Sequence, residues 1–139
     1  MAEIVKKSIS ELSFPAGVSF HHEHAWACAE GDAVKVGISD YAQDQLGDVI
    51  YVELPRVGER FRQGENFGIV ESAKSVSTLY MPVIGEVVAI NDELDSNPEL
   101  INQEPYGTGW MIVVKPDSQT DIMAGLLTGD AYKALLEGK

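Results

Sequence analysis

The chain is short of positive charge: ten Lys and Arg residues stand against 22 Asp and Glu in 139, a formal net charge of −12. Affinity for DNA or RNA comes mostly from Lys and Arg displacing counterions, so no nucleic-acid partner is expected. Cysteine is almost missing too. Cys28 stands alone, which rules out an internal disulfide and fits a reducing compartment. No apolar run approaches the roughly 20 residues that span a bilayer. The opening MAEIVKKSISELSF has neither an apolar signal core nor a small-residue cleavage site. The expectation is a cytoplasmic protein with no membrane partner. With 45% hydrophobic residues over this length, one domain with a sizeable core is the default.

What is present is a series of short β signals. Val34, Val36 and Ile38 alternate with polar residues, the period of a half-buried strand. Ser39 or Asp40 can cap a helical stretch, YAQDQL, that Gly47 stops. DVIYVEL is a β-branched strand ended by Pro55, and RVGERFRQGEN reads as a tight connection. FGIVES and SVSTLY are strands either side of Lys74, followed by a break at Met81-Pro82, then GEVVAIN. SNPELI predicts a helical turn entered through Pro98, and WMIVVK a strand closed by Pro116. DIMAGLL and DAYKALLEG have helical spacing, with Asp130 as a cap and Gly138 as a stop. An internal echo, GDVIYV from Gly47 against GEVVAI from Gly85, points to two related half-units. Many short strands predict a mainly β sandwich or flattened barrel of two small antiparallel sheets, with short helices and a C-terminal helical tail.

Three candidate chemistries sit outside that frame. HHEH, from His21 to His24, gathers imidazoles that seldom converge on one ion without a distant further ligand, so no metal is expected. Cys28 and His24, on an alternating strand, would share a face, but nothing marks an activated thiolate; Cys28 reads as a buried small apolar residue. Gly68 and Gly85 read as backbone geometry, a close approach or a turn. The third is Lys74, at the apex of GIVESAKSVSTLY, where a chain turns without Gly, Asn or Pro. Two-residue hairpins favour primed turns with positive φ, whereas a type I turn takes most residues. An apical lysine is either an ordinary surface residue or one presented so that another enzyme can engulf it.

The segment GIVESAKSVSTLYMPVIGEVVAIN closely resembles the lipoyl-attachment region of the glycine cleavage system H-protein family. The likeness continues through HAWA, VGISDYAQDQLGDVIYVELPRVG and NPELINQEPYGTGWM, over roughly residues 24 to 116, with a helical tail from 117 to 139 completing a single carrier domain, 1–139. The resemblance implies a lipoyl/biotinyl-type sandwich with lipoic acid in amide linkage on Lys74. It implies Glu71 as part of what the lipoate-attaching enzyme recognises, and His24 packed beside Trp26. Such a protein is no enzyme but a carrier subunit, here expected as a monomer, with no catalytic residues of its own. Its partners would be a glycine decarboxylase that loads an aminomethyl group, an aminomethyltransferase that removes it, and dihydrolipoamide dehydrogenase. A lysyl stem plus a lipoyl chain makes an arm of about 14 Å from standard bond lengths, ending in a dithiolane that carries a group and two electrons.

Two positions depart from the family pattern. Ala25 stands where the His-Glu-Trp segment has a carboxylate, and Thr78 where another acid follows the modified lysine. Both acids hold the ammonium of the loaded arm in its cleft, and Glu23 or Glu30 are the candidate substitutes. A similar family of H-like lipoate-binding proteins serves heterodisulfide-reductase-like complexes in sulfur oxidation, where a sulfur cargo needs no counter-charge. Glycine cleavage is the first reading and sulfur transfer the alternative.

Overall fold

The computed structural model describes residues 12–15, 17–116 and 125–137. Among the described residues, nine strands form two antiparallel sheets. The larger joins β1 (Ser19–Phe20), β2 (Ala25–Glu30), β3 (Ala33–Ile38), β5 (Arg60–Phe61), β8 (Gly85–Ile90) and β9 (Ile112–Pro116) in the order β1-β2-β3-β9-β8-β5. The smaller joins β4 (Val49–Glu53), β6 (Asn66–Ser72) and β7 (Val76–Tyr80) in the order β4-β6-β7. The described residues also form four helices: α1 (Asp40–Leu46), α2 (Glu93–Ser96), α3 (Leu100–Gln103) and α4 (Gly129–Glu137). None of them is long and apolar enough to cross a membrane.

The alternation in β3 does what its pattern requires: Val34 and Val36 are fully buried and Ile38 nearly so, while Lys35 between them is half-exposed. These side chains meet Val49, Val52, Phe67, Val70 and Leu79 of the smaller sheet in one core. A second, aromatic cluster lies under α4, where Tyr132 stacks on Phe20 at 4.6 Å and Trp26 and Leu136 fill the rest. Trp26 donates its indole N–H to the carbonyl of Pro105 at 2.9 Å.

The echo has structural content. In GDVIYV the β4–β6 register slips between Val49 and Tyr51, and in GEVVAI the β8–β9 register slips between Val87 and Ala89. Each half-unit inserts one residue at its fourth position, Ile50 and Val88, and both are left exposed, as the unpaired residue of a bulge is. The two echoing strands lie in different sheets.

Several expectations need correction. The connection after β4 contains a two-residue strand, β5, whose Arg60 and Phe61 pair with Glu86 and Gly85. His24 is not on an alternating strand: its φ is 79°, and its backbone N–H closes a turn onto His21 at 2.8 Å. Its ring packs on Tyr41 and Tyr132, while Trp26 packs on Tyr106. Cys28 is half-exposed rather than buried. The helical reading of DIMAGLL fails over its last residues, since Gly125 has a φ of 80° and Leu127 bridges Phe20 in an extended pairing; its first four residues lie outside the described ones. Thr128, not Asp130, caps α4, its hydroxyl accepting from Ala131 N at 3.1 Å. Gly138 lies outside the described residues.

Candidate functional site

Lys74 stands at the tip between β6 and β7, where Glu71 pairs with Val76 and Ser72 N donates to Ser75 O at 2.8 Å. Among the described non-glycine residues only His24 has a positive φ, so the tip turns without the backbone conformation that glycine supplies. The hydroxyl of Ser72 does the work instead. Ser72 is buried, and its Oγ accepts from Lys74 N at 3.3 Å and Ser75 N at 3.2 Å while donating to Ser75 O at 3.3 Å. A serine side chain thus replaces a backbone carbonyl as the turn's acceptor. Ala73, Lys74 and Ser75 are all exposed, and among the described residues no hydrogen bond or ion pair engages the lysine amine.

The hairpin's base is equally fixed. A side chain on Gly68 would fall on the carbonyl oxygen of Glu53 in the next strand, and one on Gly85 on that of Lys115, so both glycines permit close backbone approach. Glu71 lies between Tyr51 and Val76 in one cross-strand row. Directly opposed residues share a face, which puts Glu71 between a half-exposed tyrosine and an exposed valine, one rung below the tip.

Ser39 caps α1 by accepting from Ala42 N at 3.1 Å, and Gly47 ends the helix with a φ of 85°. Asn102 then clamps this end: its amide donates to Gly47 O at 2.9 Å and its oxygen accepts from Val49 N at 2.8 Å. The Lys74 stem lies across Gly47, whose Cβ, if it had one, would sit 3.6 Å from the lysine Cε.

Next to Gly47, Leu46 lines a small cleft of about 40 Å³ floored by Ile38, Val70 and Leu79. Ala25 and Thr78, far apart in sequence, both border it, and so does Glu23. Glu30 does not; it lies at the other end of β2, with its carboxylate 3.2 Å from the Lys35 amine. His24, on the wall of the cleft, meets the Tyr132 hydroxyl through Nδ1 at 2.7 Å, and that hydroxyl meets Ser39 Oγ at 2.8 Å. Burial pushes the Tyr132 phenol well above its ordinary range, with the Ser39 bond pulling the other way and Tyr106 and Tyr41 adding to the rise. No group of three or more His, Cys, Asp or Glu among the described residues could hold a metal. Neither the Tyr132 contact nor the Ser72 device was visible in the sequence, because one spans 108 positions and the other uses a residue type that is common everywhere.

Two antiparallel sheets packed on one another, with an exposed hairpin lysine beside an apolar cleft, make the fold a mainly β sandwich of the lipoyl/biotinyl type. Residues 18–139 match the family model described as "Glycine cleavage H-protein". The chain belongs to the glycine cleavage H-protein family. It is 45% identical over 127 residues to a glycine cleavage system H protein of Bacteroides thetaiotaomicron, covering 91% of this chain and all of that one. A glycine cleavage system H protein of Anaeromyxobacter sp. is 48% identical over 126 residues, covering 91% and 98% of the two chains. The crystal structure of a glycine cleavage system H protein from Mycobacterium marinum superposes with a TM-score of 0.79 at 38% identity, covering 90% of this chain and 99% of that one.

Proposed function

We propose that this chain is a single carrier domain, 1–139, that bears lipoic acid on Lys74 and serves as the aminomethyl shuttle of a glycine cleavage system. The observation that carries the reading is the lysine itself, exposed on a serine-closed tip with its stem lying toward a cleft on its own domain. The lysine is exposed, and Glu71 stands one rung below it, where an attaching enzyme engulfing the tip would meet it. When bound, the lipoyl group supplies a dithiolane that accepts a carbon group and two electrons. The chain's own residues present the arm, cover it with an apolar floor that excludes water, and dock to the enzymes that do chemistry. As a monomeric subunit without a catalytic constellation, it exchanges among a glycine decarboxylase, an aminomethyltransferase and dihydrolipoamide dehydrogenase in the cytoplasm. Its excess of acid steers it to basic partner surfaces. The names of its relatives favour an amine over a sulfur cargo. Intact mass tests the reading: co-expression with a lipoate-attaching enzyme should add one lipoyl amide to wild type and none to Lys74→Arg. The lipoylated protein should then support exchange of labelled bicarbonate into glycine by the decarboxylase. A protein that is lipoylated yet inactive in exchange would return the sulfur alternative.

A further inference from the structure

The turn from His21 to His24 is built to hold one side chain at the mouth of the cleft. His24 N donates to His21 O at 2.8 Å and His21 N to Ala25 O at 2.8 Å, while Glu23 N donates to the Nδ1 of buried His21 at 3.1 Å. His24 adopts its left-handed φ of 79° to make this possible, a conformation uncommon outside glycine. The result is that Glu23 stands on a ridge between the cleft bordered by Ala25 and Thr78 and a second hollow bordered by His22 and Gln63. It is the one carboxylate among the described residues lining the cleft. The exposed His22 lies beside it, with Nε2 3.8 Å from Oε1, a contact that is ionic only when that imidazole is protonated.

We propose that Glu23 is the counter-charge for the cationic end of the arm's cargo, supplying from this turn the carboxylate that position 25 lacks. The inference rests on the aminomethyl reading above. An ammonium entering a cleft floored by Ile38, Val70 and Leu79 loses water on that side, and a charge so desolvated needs a partner. Glu30 is already paired with Lys35 and borders no part of the cleft. The small side chain of Ala25 leaves room beside Glu23, so cation recognition has moved two residues along the chain.

The test compares lipoylated wild type, E23Q and the double variant E23Q/A25E, each loaded from glycine by a glycine decarboxylase and then separated from it. Attack by water on the cargo releases one formaldehyde and one ammonium and returns the thiol, so intact mass follows the decay. E23Q should decay about 2- to 5-fold faster, the range for a half-exposed ion pair, and the double variant should return to the wild-type rate. The carboxylate ¹³C resonance of Glu23 should also shift on loading, and E23Q should melt within about 2 °C of wild type. Equal decay of loaded wild type and E23Q, or an unmoved carboxylate resonance, overturns this inference alone. A wild type that takes no load from glycine overturns the carrier reading and the inference with it.

Discussion

The phenol oxygen of Tyr132 lies 2.7 Å from Nδ1 of His24, 108 residues earlier in the chain. A 2.8 Å bond ties the same oxygen to Ser39, so α4, the cap of α1 and the turn before β2 share one buried hydroxyl. Tyr132→Phe keeps the ring stacked on Phe20 and removes only that oxygen. The expected cost is about 1–2 kcal/mol, read as a lower urea midpoint with an unchanged slope. The ¹⁵N resonances of the His24 ring should move as well, which loss of packing elsewhere would not cause.

Ser72→Ala should destabilise by about 1 kcal/mol, because the amides of Lys74 and Ser75 lose their acceptor but face water. Its larger effect should be on the tip. The rate at which a lipoate-attaching enzyme acylates Lys74 should fall, while Ser72→Thr, which keeps the hydroxyl, should restore it.

Gly68→Ala should cost about 2–3 kcal/mol, since its new methyl would meet the Glu53 carbonyl of β4 and force β4 and β6 apart. Gly47→Ala should cost about 1–3 kcal/mol for a different reason, the φ of 85° and ψ of −165° that only glycine adopts readily. Thermal unfolding of both variants checks the order of magnitude.

Burial holds the imidazolium of His21 below its ordinary value of 6.5, with His22 pushing the same way and Glu23 opposing. The unfolded chain therefore binds that proton more tightly than the folded one. Stability contributed by this residue is complete above pH 6.5 and declines as the pH falls below it. Urea midpoints at pH 7.5 and 5.5 should differ in wild type, and His21→Asn, which retains an acceptor for Glu23 N, should narrow the gap. The buried phenols of Tyr106 and Tyr132 are shifted upward from 10.0. Their contribution is present below pH 10 and lost as the pH rises through the folded-state values.

Where local chemistry sets structure, the sequence was readable. The alternation of β3, the serine cap and glycine stop of α1, and the strands around Lys74 follow from side chains within a few positions of one another. The extent of strand β2 was not read, because the apolar run Ala25–Ala27, buried on both faces, has no alternation to mark it. The two-residue β5 is too short for any period, and α2 has no side-chain cap. Of the site, Lys74 was legible through its flanking residues. The nearness of Ala25 and Thr78 came from the resemblance alone, because no local pattern shows that the packing of one sheet on the other brings β2 and β7 to one cleft, and the choice of Glu23 over Glu30 came only with the structure.

The serine-closed tip bears on traffic among partners. The tip is the centre of the sphere the proposed arm can sweep, with a radius of about 14 Å. An active site buried deeper than that radius must admit the hairpin itself. Two enzymes cannot engulf one hairpin at once, so visits to sites of that depth would be exclusive and sequential.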